Sequence, residues 1–176
     1  TEARLRRLGF DESTFIARRT NFAGLPAALI EAGWSGGADF VLADLGVSSM
    51  QLDNPARGFT FGAEGPLDMR MNPNRGLAAS AWLERASMKQ LADTLRDHAD
   101  EPFAEQIAEA LHARRGAIAT THALAAAVRE ALAGTADPDA ADLSVRRVFQ
   151  ALRIEVNDEL GALDALLSQL PWCLRP

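Results

Sequence analysis

The side chains best suited to chemistry follow the apolar run FVLA, which ends at Asp44. Ser48, Ser49 and Gln51 come within the next seven positions. A carboxylate can accept hydrogen bonds from an amino group or from ribose hydroxyls, and serine and glutamine side chains both donate and accept them. This set of residues is suited to reading the edge of a nucleobase. It favours a site for a purine-bearing cofactor, together with a nucleobase substrate.

The long stretch that carries these residues, called here the site loop (residues 44–73), has no helical or strand period. A connection of this length is uncommon in a compact domain unless it serves a site. Its glycines permit close approach of the backbone or a positive φ. No serine–histidine pairing suggests acyl transfer, and the chain contains no GxxxxGK[ST] phosphate-binding loop.

The elements before the site loop predict a βαβ unit. A short β-like run covers residues 14–17, and a helix follows with Pro26 in its first turn and Gly33 at its C-terminal cap. The apolar run ADFVLADLG (38–46) is typical of a strand buried in a parallel sheet. We therefore predict an α/β fold with a doubly wound sheet.

Ligands of such sheets bind outside the carboxyl ends of the strands. Asn21 and Phe22 follow the first predicted strand, and Asp44 ends the second. The sequence therefore predicts that Phe22, whose ring could stack on a flat ligand, lies at the same edge as Asp44.

From residue 74 onward the pattern is helical. Phe103, Ile107 and Leu111 recur every fourth residue, as expected of a helix face turned to a core. We predict three parts: a partial α/β domain with the site loop (1–73), an inserted all-helical domain (74–142) and a long final helix (143–176).

The final helix has an apolar stripe and, beside it, a polar strip of Arg146, Gln150, Arg153 and Asn157. These four residues are spaced so that they share one side of a helix. The strip is a solvated face, or it binds phosphates, or it holds a loop by hydrogen bonds.

Composition limits the remaining classes. The chain has 176 residues, 48% of them hydrophobic, and a net charge of −6, which argues against a broad polyanion-binding surface. Cys173 is the single cysteine, so no disulfide framework is expected. The three histidines lack metal-ligand spacing, and no apolar run approaches the length of a membrane span. We expect no metal site and no membrane association.

Three segments carry a resemblance to a known family: DLGVSSMQLDNPARGFTFGAEGPLDMRMNP, EPFAEQIAEAL and RVFQALRIEVNDEL. Together they resemble the ribosomal RNA small subunit methyltransferase H family, also called MraW. The resemblance implies a Rossmann-like class I methyltransferase fold with an inserted helical domain. It also implies S-adenosyl-L-methionine as cofactor and methylation of the N4 amine of a cytidine in small-subunit (16S) rRNA.

The resemblance also implies roles for individual residues. Phe22, Asp44 and Gln51 match the family's cofactor contacts, and we assign catalysis to Asp44, Ser48 and Ser49. The residues assigned to rRNA binding are Arg57, Arg70, Arg146, Arg147, Arg153 and Asn157. The implied partner is small-subunit rRNA or the assembling 30S subunit, in the cytoplasm, with a homodimer as one possible state.

The chain also departs from the family pattern. No glycine-rich loop precedes Thr1, and SQLPWCLRP stands where the family continues into further strands, so the chain resembles a fragment with half a cofactor pocket. Gln106 and Glu109 stand where relatives often carry basic residues. We expect this chain by itself to bind S-adenosyl-L-methionine weakly or not at all. The alternative function is a catalytically inactive helical module for binding or dimerisation.

Overall fold

The computed structural model describes residues 2–175, and most of them are helical. The α-helices are α1 Glu2–Arg7, α2 Leu25–Glu31, α3 Ser49–Leu52, α4 Ala79–Arg85, α5 Met88–Ala99, α6 Ala104–Arg114, α7 Thr121–Ala131, α8 Pro138–Asn157 and α9 Glu159–Cys173. Short 3-10 helices cover Phe22–Gly24, Pro55–Arg57 and Arg115–Ala117.

The predicted α/β Rossmann-like fold is wrong for this structure. Within residues 2–175, β pairing is limited to two isolated bridges, Ala38 with Leu174 and Pro66 with Thr120. Within the runs predicted as strands, residues 14–17 and 38–46, the one β pairing is the isolated bridge at Ala38. A strand is completed by hydrogen bonds to a neighbour, so an apolar run alone does not make a sheet. Asp44 consequently follows a segment that forms no strand.

The chain separates into two compact units. One comprises the described residues up to Asp44 and from Glu159 onward, and the other is Leu45–Asp158. The second unit therefore combines the rest of the site loop with α3–α8. The sequence analysis assigned the site loop to the same domain as residues 1–43. The three predicted domains (1–73, 74–142 and 143–176) stay predictions.

The core of the second unit lies between α5, α6, α7 and α8. Helix α5 packs against both α6 and α8, and α7 packs against the same two helices. As the four-residue spacing predicted, Ile107 and Leu111 are fully buried. Ser87 and Gln90 begin α5 with reciprocal side-chain to backbone hydrogen bonds, and Asp137 caps α8 ahead of Pro138. Such caps satisfy amide groups that the first helical turn leaves unpaired.

The predicted final helix is divided at Asp158, which adopts a left-handed conformation with φ 49°. Its apolar stripe divides there as well. Val145, Val148 and Leu152 of α8 are fully buried, whereas Leu160 and Leu167 of α9 are about half exposed.

The first unit is small. Helices α2 and α9 pack with each other and with the 3-10 helix Phe22–Gly24. The bridge between Ala38 and Leu174 is supported by the Ala38 amide, which donates to the Cys173 carbonyl at 2.8 Å. Among residues 2–175, no helix combines the length and the apolar character needed to cross a membrane.

Candidate active-site loop

The site loop begins with a short helix whose N-terminus is closed by its own side chains. Gln51 Oε1 accepts hydrogen bonds from the Ser48 amide at 2.8 Å and from Ser48 Oγ at 3.1 Å. Ser49 is the exposed first residue of α3. The carbonyl end of Gln51 is therefore used within the loop, and its Nε2 group remains to donate to a ligand.

Phe22 and Asp44 belong to the first unit. Asn21 Oδ1 accepts from the Ala23 amide at 2.9 Å and so caps the 3-10 helix that Phe22 begins. Phe22 is half-buried, and Asp44 is exposed. The structure therefore presents an aromatic ring and a carboxylate in this unit, and an amide in the other.

Arg57 stabilises the loop from within. Its Nη2 donates to the carbonyl of Arg70 at 2.6 Å and to that of Met71 at 3.2 Å. Its guanidinium also lies over the ring of Phe59, 5.6 Å from the centroid. These hydrogen bonds use the Nη2 group, which carries two of the five N–H donors that the sequence assigned to RNA phosphates.

Arg70, the second loop arginine, forms a bidentate ion pair with Asp68. Arg70 Nε donates to Oδ1 and Nη2 to Oδ2, both at 2.8 Å. These hydrogen bonds lower the pKa of Asp68 below its ordinary value, although partial burial of the carboxyl opposes the shift. The pair stays ionised near neutral pH and fixes the turn between the two residues.

Asn157, at the end of α8, binds the loop backbone with both ends of its amide. Nδ2 donates to the Met69 carbonyl at 2.7 Å, and Oδ1 accepts from the Met71 amide at 2.6 Å. Between these contacts the Met69 backbone is in the left-handed region, with φ 60°, and its side chain is fully buried. The sequence left three roles open for the polar strip, and Asn157 has one of them: it holds a loop by hydrogen bonds.

Thr121 holds a second part of the loop, residues 63–65, and the sequence pattern did not single it out. Its buried hydroxyl donates to the Ala63 carbonyl at 3.0 Å and accepts from the Gly65 amide at 3.1 Å. At Gly65 an added Cβ would lie 1.9 Å from the Pro55 carbonyl oxygen, so only glycine fits. The sequence signal was present in this glycine, whereas Thr121 looked like an ordinary helix-start residue.

The remaining predicted RNA-binding residues lie on α8. Arg146 is exposed, and Arg147 and Arg153 are partly buried. Gln150, from the same polar strip, donates to the His98 carbonyl at 3.3 Å. The two amides of the strip therefore bind backbone carbonyls on different elements, and Arg146 is the strip's exposed cation.

Two acidic side chains, Glu101 and Glu155, contact polar side chains of α8 and α5, respectively. Glu101 is 3% exposed, and its Oε1 accepts from Ser144 Oγ at 2.9 Å and from the Phe103 amide at 3.1 Å. His98 Nε2 lies 3.1 Å from Glu155 Oε2. In the part of the chain that the structure describes, no three His, Cys, Asp or Glu side chains are grouped to hold a metal ion.

Side chains of the loop and of the helical core thus bind the backbone of the site loop and hold it in place. This loop carries the candidate polar residues. The whole chain, residues 1–176, matches the MraW methylase family. The chain belongs to this family.

Named relatives agree with the family assignment. The chain is 41% identical over 182 residues to the ribosomal RNA small subunit methyltransferase H 1 of Agathobacter rectalis, covering 100% of this chain and 51% of the relative. It is 45% identical over 175 residues to the ribosomal RNA small subunit methyltransferase H of Burkholderia cenocepacia, covering 92% of this chain and 54% of the relative. The Halorhodospira halophila protein of the same name is 48% identical over 157 residues, covering 88% of this chain and 48% of the relative. The chain spans about half the length of these curated relatives.

Proposed function

We propose that this chain is part of a methyltransferase that uses S-adenosyl-L-methionine to methylate the N4 amine of a cytidine in small-subunit rRNA. The observation that carries the proposal is the family match over residues 1–176, with relatives named for methylation of this RNA. The side chains after Asp44 support it, because they suit recognition of a nucleobase. The proposed partner is small-subunit rRNA or the assembling 30S subunit, in the cytoplasm.

Individual side chains of the chain suit parts of the proposed cofactor. Phe22 offers a half-buried ring for stacking on adenine, and the exposed Asp44 carboxylate can accept from ribose hydroxyls. Gln51 would donate through Nε2, since its carbonyl oxygen is already used at the start of α3. Bound S-adenosyl-L-methionine would supply an electrophilic methyl carbon on its positively charged sulfur, and its transfer to the cytosine amine would release S-adenosyl-L-homocysteine and one amine proton.

The residues of the chain would then orient the amine. Its lone pair is delocalised into the cytosine ring, so a hydrogen-bond acceptor is needed to align the two amine hydrogens. We assign this role to Asp44, and contacts to the edge of the base to Ser48 and Ser49. Positioning of two reactants can supply about 7–11 kcal/mol of the barrier in favourable systems. The cytidine would leave its stack to enter such a site.

We give the two loop arginines, Arg57 and Arg70, less weight as phosphate contacts than the arginines of α8. Arg57 and Arg70 already bind loop carbonyls and Asp68. Among the cations assigned to RNA, Arg146 of α8 is exposed, and we give it the most weight as a phosphate contact; Arg147 and Arg153 remain assigned with it. Neutralising one phosphate contact should reduce the salt dependence of RNA binding by about one unit of slope.

The proposed function is tested with small-subunit particles from a strain that lacks the methylation. The intact gene product is incubated with these particles and a methyl-labelled donor, and the rRNA is digested to nucleosides for mass spectrometry. We expect label in N4-methylcytidine. Label on another atom, or none, contradicts the proposal.

The role of Asp44 is tested by Asp44→Asn, with Asp39→Asn as its matched control. Asp39 lies five positions earlier, is exposed, and pairs with Arg175 at 3.0 Å. We expect the Asp44 substitution to lower the rate of transfer by about 100-fold, in the range typical of a lost orienting contact, and the Asp39 substitution to leave it unchanged. Wild-type transfer by the Asp44→Ala enzyme would exclude Asp44 from the reaction.

A further inference from the structure

The segment from Met69 to Met71 is held in a conformation that needs support from outside the segment. Met69 has φ 60°, a region that residues with a Cβ atom rarely adopt, yet its side chain is fully buried. Strain of this kind persists only where surrounding contacts over-determine the backbone, and it is concentrated at functional sites. The supporting contacts are therefore of interest.

Asn157 supplies the support from α8. Its two amide hydrogens are both used, one by the Met69 carbonyl at 2.7 Å and one by the Arg153 carbonyl at 2.8 Å. Its oxygen accepts from the Met71 amide at 2.6 Å. A planar amide is the side chain that can donate twice and accept once with this reach.

The contacts continue from Asn157 to the residues assigned to the reaction. The Met69 amide donates to the Arg57 carbonyl at 3.0 Å, and Arg57 ends the 3-10 helix Pro55–Arg57. That helix follows α3 after two residues and contacts it, and α3 carries Ser49 and Gln51. A continuous path of hydrogen bonds and packing therefore joins the end of α8 to α3.

We propose that Asn157 is a positioning residue for methyl transfer: through Met69 and Arg57 it sets the conformation of the site loop that carries Ser48, Ser49 and Gln51. The proposal rests on the proposed function and assigns Asn157 no contact with RNA. Its effect reaches the reaction through the loop. Loss of the amide frees the Met69 turn and loosens α3.

The first test measures hydrogen exchange of the loop amides in the intact gene product. Asn157→Ala is compared with Gln150→Ala. Gln150 belongs to the same strip of α8, but its amide binds the His98 carbonyl and not the loop. We expect exchange at Met69 and Met71 to accelerate more than tenfold in Asn157→Ala alone. Amides in the middle of α5 and α6 should keep wild-type protection in both variants.

The second test is one turnover of the enzyme: the intact gene product, preloaded with methyl-labelled donor, is mixed with an excess of small-subunit particles and unlabelled donor. The amplitude reports the fraction of active enzyme and the rate constant reports the transfer itself, so the two separate a positioning role from a folding defect. We expect Asn157→Ala to lower the rate constant by about tenfold or more, as a small misplacement of reacting groups does. The amplitude, and the affinity for the methyl donor, should stay at the wild-type values.

Asn157→Asp provides a second variant if the alanine enzyme does not fold. It keeps the size of the side chain and the acceptor for Met71, and it replaces the donor to Met69 with an oxygen that repels the carbonyl. It should show the same loss of rate constant. A wild-type rate constant in a folded Asn157 variant, or a loss confined to the amplitude, would overturn the inference. If the wild-type enzyme itself transfers no methyl group, the proposed function fails first, and the inference fails with it.

Discussion

At the scale of single residues, Thr121 shows how much of the loop depends on one hydroxyl. Thr121→Val preserves shape but leaves the Ala63 carbonyl and the Gly65 amide without their side-chain partner. We expect a loss of about 1–3 kcal/mol in the free energy of unfolding, the usual cost of stranding buried polar groups. Urea denaturation followed by circular dichroism measures it.

The matched control is Thr135→Val, the same substitution at an exposed position. Thr135 accepts one hydrogen bond from Gln106 Nε2 at 3.1 Å, near the surface. We expect a change within about 0.5 kcal/mol. Equal effects at the two positions would show that the buried hydroxyl does not support the loop.

The Asp68–Arg70 pair predicts a pH dependence of stability. Hydrogen bonds from Arg70 lower the folded-state pKa of Asp68 below its ordinary value of 3.8. A lowered pKa contributes stability above the unfolded-state pKa, and that contribution is lost as the pH falls through the lower folded-state value. The wild type should therefore exceed Asp68→Asn in free energy of unfolding at neutral pH, and the difference should shrink below about pH 4.

Urea titrations of the two proteins from neutral to acidic pH give this difference directly. Other carboxylates, such as Asp93 and Glu105, also have lowered pKa values, and they titrate in both proteins. The difference between wild type and variant therefore isolates Asp68. A difference that is constant with pH would contradict the assigned role of the pair.

At the scale of elements, α8 is the helix on which the second unit depends. It packs against α4, α5 and α7, and Leu152 on its inner face is fully buried. Leu152→Ala should cost about 2–5 kcal/mol, the usual penalty for a cavity in a well-packed core. Leu143→Ala, on the outer face of the same helix and 46% exposed, should change stability by less than about 0.5 kcal/mol.

Denaturant unfolding of both leucine variants tests the packing of this helix. If Leu143→Ala is as costly as Leu152→Ala, the assigned faces of α8 are wrong. A small effect at Leu152 alone would mean that the neighbouring helices close the cavity.

The helices could be predicted from the sequence because their signals are local. Ile107 and Leu111 share a face through the helical repeat, as predicted. Asp137 ahead of Pro138 is also a standard start of a helix, but the sequence analysis began the final helix at residue 143, so α8 starts five residues earlier than predicted. The strands could not be confirmed in this way, since a strand needs a partner distant in sequence. The predicted final helix is divided at Asp158, which adopts the left-handed conformation that aspartate tolerates. The apolar stripe continues past this residue and so does not reveal the break.

At the scale of the whole molecule, the first unit exposes large apolar side chains. Phe40, Leu42 and Trp172 are 74%, 81% and 85% exposed, and the first two lie two positions apart in the chain. Contiguous exposed apolar surface promotes association. We expect the 176-residue chain to self-associate as its concentration rises, and the double substitution of Phe40 and Leu42 by serine to reduce this association.

Light scattering over a range of concentrations measures the effect. The control is Leu143→Ser, which removes an exposed leucine from the second unit. It should leave the association of the chain unchanged. A chain that stays monomeric at every concentration would contradict the prediction.

The sequence by itself determined the family, the positions of the main helices and the polar side chains after Asp44, because each of these is written in local residue types and spacing. Tertiary structure alone decided what several of those side chains do. Asn157 and Arg57 looked equally suited to RNA, yet both bind loop carbonyls that lie far from them in sequence or across a turn. Thr121 became visible only when Ala63 and Gly65 lay beside it. The type of a polar side chain determines which hydrogen bonds it can form, and the fold determines which partner lies within reach.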